Sequence, residues 1–275
     1  MPFRALFERQ PEAVETQGNL RHVRKFPSKY LGNERDLVIW LPPEYETEAN
    51  ARYPVIYAHD GQNLFDPATA FAGVDWQLDE VAESLLRRKQ VHPFIIVGMC
   101  NTPARIEEYT PRRGRKYAKF VIQEVKPFID AQFRTLSNRE ATATLGSSLG
   151  GLISFHLAWW HPEVFSMAGC ISASWMWNKA AVFEDIKNDP LPQPPIRIYM
   201  DHGSEGDEGT YLTAFKRMRD TMIKKGFVLR QDLEYFYGLG DGHDEASWGR
   251  RAWRPLVFFF GRSPQEIPAP EPPAI

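Results

Sequence analysis

The sequence predicts an α/β fold, with a doubly wound, mostly parallel sheet and helices on both faces of a single domain. Two observations support this prediction. Six short apolar runs do not alternate with polar residues, which is typical of strands buried on both faces of a parallel sheet. Helix-like stretches separate these runs, and strands that alternate with helices indicate a doubly wound sheet. A length of 275 residues suits one large domain.

The predicted strands are bounded by prolines, glycines and polar turns. They occupy residues 35–43, 53–61, 93–101, 142–148, 165–174 and 195–203, with a further strand at 232–238. Helical periodicity predicts helices at 75–90, 119–133, 151–163 and 209–226, and another that begins around Glu245. In the first of these helices, one face carries the apolar residues, as an amphipathic helix requires: Leu78, Val81, Ala82, Leu85 and Leu86.

Composition indicates the boundaries of the domain, its expected partners and its expected location. We assign residues 1–18 to an N-terminal segment, 19–262 to the domain and 263–275 to a Pro-rich tail. A net charge of −2 gives no reason to expect nucleic acid or an anionic membrane as a partner. No apolar run has the length of a signal peptide or a membrane helix, so a cytoplasmic location is expected. Cys100 and Cys170 are expected to be buried free thiols.

The stretch TLGSSLGG, residues 144–151, follows a predicted strand and opens a predicted helix. Gly146, Ser148 and Gly150 match G-x-S-x-G, the nucleophile elbow that presents a serine on a sharp turn between strand and helix. A flexible turn is the alternative interpretation. However, it would not require three glycines at the start of a helix, where each costs up to ~1 kcal/mol relative to alanine. The context therefore favours a nucleophilic Ser148.

A serine nucleophile needs a general base and a third group that orients the base. Four histidines follow Ser148. His156 lies inside the elbow helix, His161 ends that helix and His202 belongs to the region of the candidate acids. His243 lies in the Gly-rich loop GLGDGHDEASWGRR after the last predicted strand. Its position in the chain order serine, acid, histidine makes it the candidate base.

The acid is expected in the run IYMDHGSEGDEGTY, which also suits a solvated acidic turn. Asp207 is favoured because the acid usually lies a few residues beyond the glycine that ends the strand, and Glu205 remains the alternative. The two backbone N–H groups of an oxyanion hole are assigned to Leu149, at the positive end of its helix, and to Gln62 in the loop HDGQNLF. Asn63 or Gly61 is the alternative to Gln62.

Several motifs together resemble the putative esterase family, the esterase D and enterochelin-esterase-like α/β-hydrolases related to feruloyl and acetyl-xylan esterases. The motifs are RDLVIWLPPEY, PVIYAHDGQNLFD, RIEEYTP, GSSLGGLISF, IYMDHGSEGDE and GHDEASWGRR. The resemblance covers about residues 19–261 and aligns the last motif with the family's His-x4-Trp. It thereby implies His243 as the base and Trp248 as a companion aromatic.

The resemblance implies a serine carboxylesterase with a small-molecule ester substrate and no metal or organic cofactor. An acyltransferase with a sugar or lipid acceptor, or a binding protein without catalysis, would use the same fold. Trp76, Trp175 and Trp177 either line the substrate pocket, together with Trp248, or belong to the core. Arg105 and Glu108 are expected to form a structural ion pair, with recognition of a polar substrate group as the alternative.

Overall fold

A single twisted sheet organises the protein in the computed structural model, which describes residues 15–206 and 208–263. Its strands lie in the order β1-β2-β3-β5-β4-β6-β7-β8-β9. They span β1 Glu15–Gln17, β2 Leu20–Ser28, β3 Asn33–Trp40, β4 Val55–His59, β5 Ile95–Met99, β6 Thr142–Ser147, β7 Met167–Ile171, β8 Arg197–Gly203 and β9 Leu233–Gly238.

Helices connect the strands and cover both faces of the sheet. They span α1 Leu78–Arg87, α2 Arg105–Glu108, α3 Pro111–Phe120, α4 Lys126–Gln132, α5 Leu149–Trp160, α6 Trp177–Ala180, α7 Val182–Lys187, α8 Glu208–Lys225, α9 Glu245–Arg251 and α10 Trp253–Phe260. One π-helical segment, Val121–Val125, joins α3 to α4, so that the chain is helical from Pro111 to Gln132.

The six strands from β4 to β9 pair in parallel, and β1, β2 and β3 pair antiparallel along one edge. All residues of β4, β5, β6 and β7 are buried, as the unalternating apolar runs predict. Two clusters of buried side chains lie on opposite faces of the sheet. One contains residues of α3, α4, α5 and α8, and the other contains residues of α1, α9 and α10. The doubly wound, mostly parallel prediction is thus confirmed.

The direction of winding reverses between β4 and β6. After β4 the chain moves outward to β5, and after β6 it moves in the opposite direction through β7, β8 and β9. The loops that leave neighbouring strands β4 and β6 therefore separate and open a crevice at their carboxyl ends. Such a switch point is where open α/β sheets bind ligands. Both the HDGQN loop and Ser148 lie at this crevice.

The pattern of apolar residues does not predict β1 and β2. β2 carries four charged or imidazole side chains and Pro27, and a register shift between Val23 and Phe26 interrupts its pairing with β3. Lys25 has a φ of 48° at this irregularity. The apolar alternation that reveals a strand is lost there. The sheet begins at Glu15, within the segment that we assigned to residues 1–18; the rest of that segment and nearly all of the tail lie outside the described residues.

Candidate active site

Ser148 occupies the sharp turn between β6 and α5. Its φ of 55° and ψ of −122° are strained for a residue with a side chain, whereas Ser147 is still part of the strand. A Cβ on Gly146 would lie 2.6 Å from the backbone of Gly150, and one on Gly151 would lie 2.8 Å from the Cβ of Ala173. Glycines are needed here because strand and helix approach closely, as the elbow motif requires.

The Ser148 hydroxyl lies beside the loop that follows β7. Its Oγ is 3.1 Å from the Oγ of Ser174, and the Ser174 N–H donates to the Ser148 carbonyl at 3.0 Å. The Ser148 N–H donates to the carbonyl of Ile171, also at 3.0 Å. These bonds hold the turn against β7 and leave the serine half-buried. No motif in the sequence marks Ser174 as part of the site.

The loop after β4 lies at the other side of the crevice. Asp60 adopts a left-handed conformation with φ 57°, and residues Gly61–Asn63 form a short 3-10 turn. The Gln62 carbonyl accepts a hydrogen bond from Thr69 Oγ1 at 2.7 Å, and its side-chain Oε1 accepts one from the Asn101 N–H at 3.1 Å. The position of Gln62 is therefore held from two directions. The N–H of Leu149 begins α5 across the crevice.

A buried carboxylate supports this loop. Asp60 is 5% exposed and accepts two hydrogen bonds from Arg105 at 2.7 Å and one from Asn101 Nδ2 at 2.6 Å. A Cβ on Gly150 would lie 3.3 Å from Asp60 Oδ2, so the carboxylate lies against the first turn of α5. The cluster thus connects the loop after β4 with the helix that begins at the elbow.

The expected ion pair between Arg105 and Glu108 is wrong, although both residues are structural. Glu108 instead pairs with Arg35 at 2.9 Å, with both side chains fully buried, and accepts from Asn33 Nδ2 at 2.8 Å. Arg105 pairs with Asp60. Proximity in sequence suggested a pair, but α2 directs Arg105 toward the loop after β4 and Glu108 toward β3.

Arg105→Met is expected to destabilise the protein by about 3 kcal/mol, because it leaves the buried Asp60 carboxylate without its cation. Arg112→Met is the matched control. Its side chain is 80% exposed and 4.0 Å from Glu107, so its removal should change stability by no more than about 0.5 kcal/mol. Urea unfolding measures the free energy of unfolding of both variants. Equal losses in the two variants would contradict the supporting role of the Arg105–Asp60 pair.

His243 lies in the loop between β9 and α9, exposed to solvent. Its ring packs edge-on against Trp248 at 5.1 Å and stacks with Tyr211 at 5.8 Å between centroids. Neighbouring strands lie about 4.8 Å apart, so β9 is about 14 Å from β6, and the loop must return across the sheet to reach Ser148.

Contacts on both sides of His243 fix the position of this loop. On one side, the N–H groups of Ser204 and Glu205 donate to the Asp241 carbonyl at 2.8 and 2.9 Å. On the other side, Asn63 Nδ2 donates to Glu245 Oε1 at 3.2 Å. The His243 segment therefore lies between the loop after β8 and the loop after β4. Burial raises the pKa of the Glu245 carboxyl, and the charges of Asp244 and Asp60 raise it further.

Below this loop, a charged network anchors the segment to the sheet. Arg251 is 2% exposed and contacts Asp201 at 3.2 Å and Asp241 at 2.9 Å. Asp201 also accepts from the Ser172 N–H at 3.0 Å and is fully buried. Asp201 is thus committed to structure and is not a free acid. His202 lies inside β8 with its ring stacked on Phe215, which differs from the loop position that its sequence neighbours suggested.

Of the two favoured acids, Glu205 lies in the loop after β8 and Asp207 lies outside the described residues. The Glu205 side chain is exposed, and Ser204 Oγ donates to it at 3.4 Å. A Cβ on Gly203 would collide with the Asp241 carbonyl oxygen, so this loop packs closely against the one that carries His243. The loop after β8 therefore lies next to the segment that carries the candidate base.

The four tryptophans that we considered for the substrate pocket occupy different environments. Trp175 is 1% exposed and packs edge-on against Phe155 in the core, so it offers a substrate almost no surface. Trp76 and Trp248 are buried and contact each other at 6.1 Å between ring centroids. Trp177 is 38% exposed and lines a cleft of about 620 Å³ that includes Ser174. Trp177 is therefore the tryptophan best placed to contact a substrate near Ser148.

Two histidines are buried near the elbow. Burial lowers the pKa of His59 to about 3, and its ring nitrogens lie 2.9 Å from the Tyr117 hydroxyl and 3.1 Å from Thr144 Oγ1. Burial, with a smaller contribution from Arg115, lowers the pKa of His156 to about 3 as well. Both imidazoles are therefore neutral in the folded protein at neutral pH.

The two neutral histidines make the protein sensitive to acid. In the unfolded chain each of these histidines binds a proton below about pH 6.5, whereas in the folded protein each binds one only near pH 3. The contribution of the neutral histidines to the free energy of unfolding is therefore fully present above pH 6.5 and is lost as the pH falls below it. Each should reduce the free energy of unfolding by about 2 kcal/mol between pH 7 and pH 5. His59→Gln should lose about 2 kcal/mol less than the wild type over this interval in urea unfolding. An unchanged pH dependence in this variant would contradict a neutral His59.

The described residues contain no group of three or more His, Cys, Asp and Glu side chains arranged to hold a metal ion. Cys170 is buried, Cys100 is half-buried and both thiols are free. Within residues 15–206 and 208–263, none of the helices combines the length and apolar character needed to cross a bilayer.

Comparison with known proteins supports the architecture. The protein YbbA of Bacillus subtilis (strain 168), which is named as uncharacterized, is 26% identical over 221 residues, covering 75% of this chain and 81% of YbbA. Among solved structures, a ferulic acid esterase superposes with a TM-score of 0.70 and 21% identity, over 88% of this chain and 97% of that one. The enterobactin esterase FES from Shigella flexneri gives 0.71 and 20%, over 90% of this chain and 60% of that one. At these identities the two structures establish the shared fold.

A family model described as Putative esterase matches residues 28–254, from the end of β2 to α10. The match includes the elbow, the loop after β4, the loop after β8 and the loop that carries His243. It covers most of the chain, and the structures above have the same α/β-hydrolase fold. The chain therefore belongs to the Putative esterase family and is a carboxylic ester hydrolase.

Proposed function

We propose that the protein is a serine carboxylesterase in which Ser148 is the nucleophile and His243 the general base. The observation that carries this proposal is the strained backbone of Ser148 at the end of β6, at the crevice where the sheet reverses its winding. The Asn63–Glu245 hydrogen bond supports the base, because it holds the His243 loop against the loop after β4.

The reaction proceeds through an acyl-enzyme. Ser148 Oγ attacks the ester carbonyl while His243 accepts its proton, and the N–H groups of Leu149 and Gln62 stabilise the tetrahedral oxyanion. His243 then donates that proton to the departing alcohol, which leaves the acyl group on Ser148. A water molecule, deprotonated by His243, attacks the acyl-enzyme. His243 then returns this proton to Ser148 Oγ as the carboxylic acid product is released. An acid in the loop after β8, Asp207 or alternatively Glu205, orients the imidazole.

The substrate is proposed to be an ester of an aromatic acid. The exposed Trp177 in the cleft beside Ser148 supports this choice, since its ring can pack against an aromatic acyl group. The names of the ferulic acid esterase and enterobactin esterase FES, which share the fold, are consistent with it. Acyl transfer to a sugar or lipid would need the same groups, with the acceptor in place of water.

The purified protein should hydrolyse methyl cinnamate and p-nitrophenyl acetate, and a fluorophosphonate probe should label it covalently. Liquid chromatography measures the released acid, and mass spectrometry of the digested adduct locates the label. We expect the label on Ser148 in the peptide that spans the elbow. Absence of both hydrolysis and labelling would overturn the proposal. If transfer products form when a sugar or glycerol acceptor is added, the assigned activity would be acyl transfer in place of hydrolysis.

A further inference from the structure

The loop after β7 places a second hydroxyl group against the nucleophile. Ser174 Oγ lies 3.1 Å from Ser148 Oγ, within hydrogen-bond distance. Ser174 follows the end of β7 at Ile171 and is only 7% exposed. The reaction described above gives its side chain no task. A hydroxyl group in contact with the reacting oxygen is nevertheless able to act on that atom directly.

Backbone hydrogen bonds fix the position of Ser174. Its N–H donates to the Ser148 carbonyl, and its own carbonyl accepts from the Trp177 N–H, both at 3.0 Å. Two residues earlier, Ser172 has a φ of 39°, and its N–H donates to the buried Asp201 Oδ1 at 3.0 Å. The Ser174 hydroxyl is therefore held in place by bonds that do not involve its side chain, so the contact with Ser148 is present before a substrate binds.

The sheet order separates Ser174 from the groups assigned to the oxyanion. β6 lies between β4 and β7, so the loops that carry Gln62 and Ser174 leave strands on opposite sides of the elbow. The N–H groups of Gln62 and Leu149 are assigned to the carbonyl oxygen of the substrate. Ser174 instead contacts Ser148 Oγ, the atom that forms and later breaks the bond to the acyl carbon. Its role is therefore distinct from that of the oxyanion hole.

Ser148 Oγ gains negative charge twice during the reaction. It does so first when His243 removes its proton, and again when it departs from the acyl carbon before His243 returns a proton. An oxygen without its proton only accepts hydrogen bonds, whereas a neighbouring hydroxyl group rotates freely to donate one. Hydrogen bonds to a charged acceptor are stronger than those between neutral groups, so this bond strengthens as the charge develops.

We propose that Ser174 is a catalytic residue whose hydroxyl donates a hydrogen bond to Ser148 Oγ while that oxygen carries negative charge, in acylation and in deacylation. The proposal rests on the serine esterase function proposed above and adds a residue to its machinery. No proton is transferred to Ser174. The Ser148 proton goes to His243 and returns from it, and the O–H bond of Ser174 stays intact throughout.

The rate at which a fluorophosphonate probe labels Ser148 measures the reactivity of its oxygen. In Ser174→Ala the maximal labelling rate should fall about 30-fold, as expected for the loss of one hydrogen bond to a charged oxygen. The probe concentration that gives half of this rate should not change, because the hydroxyl acts on the nucleophile and not on the probe. Burst kinetics with p-nitrophenyl acetate should show reductions of similar size in acylation and deacylation.

Two further variants separate the hydroxyl from effects on packing. Ser174→Thr keeps the hydroxyl and should be labelled within a few-fold of the wild-type rate. Ser154→Ala is the matched control, because it removes a fully buried hydroxyl that donates to the Gly150 carbonyl at 2.8 Å within α5. This control should be labelled at the wild-type rate. Circular dichroism and urea unfolding verify that each variant is folded.

The outcomes distinguish this proposal from the esterase function. A wild-type labelling rate in Ser174→Ala, a rate in Ser174→Thr as low as in Ser174→Ala, or an equal loss in Ser154→Ala would overturn the role of Ser174. Labelling and hydrolysis by the wild type would still support the esterase function in each of these cases. A wild-type protein that is neither labelled nor hydrolyses esters would overturn the esterase function and, with it, the role of Ser174.

Discussion

Ser148→Ala should reduce kcat for ester hydrolysis by about 10⁶-fold without unfolding the protein. Loss of the nucleophile of a serine hydrolase leaves only the rate acceleration that binding and the oxyanion hole supply. The large effect is assigned to Ser148 because its φ of 55° presents the side chain at the tip of the turn. Hydrolysis rates under substrate saturation measure the loss, and circular dichroism verifies the fold.

Ser147→Ala is the matched control, since it removes the same hydroxyl one residue earlier. Ser147 is 4% exposed and belongs to β6, where it pairs with Ile171 of the next strand. Its removal should change kcat by only a few-fold. An inactive Ser147→Ala together with an active Ser148→Ala would show that the nucleophile is the other serine, and the elbow assignment would be wrong.

Neutralising the acid of the triad should have the second-largest effect, a reduction in kcat of about 10⁴-fold. A neutral amide in place of the carboxylate favours the wrong imidazole tautomer and no longer stabilises the imidazolium, and a loss of this size is known for the serine protease triad. Asp207→Asn is expected to show it. Glu205→Gln is the control and should remain within a few-fold of the wild type, because its side chain is exposed in the same loop.

The fold allows Asp207→Asn and Glu205→Gln to show which carboxylate is the acid of the triad. The N–H groups of Ser204 and Glu205 both donate to the Asp241 carbonyl, so the loop after β8 lies against the segment that carries His243. Either substitution changes one carboxylate without altering these backbone bonds. A 10⁴-fold loss in Glu205→Gln would assign the acid to Glu205 and overturn Asp207. Near-normal turnover in both variants would reject a carboxylate at either position and leave a Ser148–His243 dyad.

Much of the central sheet could be predicted because its strands are buried on both faces. Runs such as residues 53–61 and 93–101 contain β4 and β5, with all residues of both strands buried. The edge could not be predicted in this way. β2 lies near the antiparallel edge and combines charged residues with Pro27 and a register shift, so its sequence lacks the apolar pattern that reveals a strand.

The candidate site likewise has one part that the sequence predicts and another part that it does not. The elbow was identifiable because its steric demands concern consecutive residues: Gly146 and Gly151 stand where a side chain would collide with the neighbouring backbone or Ala173. The supporting groups were not identifiable. Arg105 neutralises Asp60, which lies 45 positions earlier, and Asn63 contacts Glu245, which lies 182 positions later.

By itself the sequence determined the class of fold and placed Ser148 at the turn between a strand and a helix, and it predicted the chain order of the candidate serine, acid and histidine. These features depend on local sterics and on the periodicity of apolar residues, which consecutive positions express directly. Only the tertiary structure decided that Arg105 pairs with Asp60, that Trp175 belongs to the core and that Trp177 lines a cleft that includes Ser174. Ion pairs, burial and clefts arise where distant segments pack together, and the distances between those segments in space are not encoded by their separation along the chain.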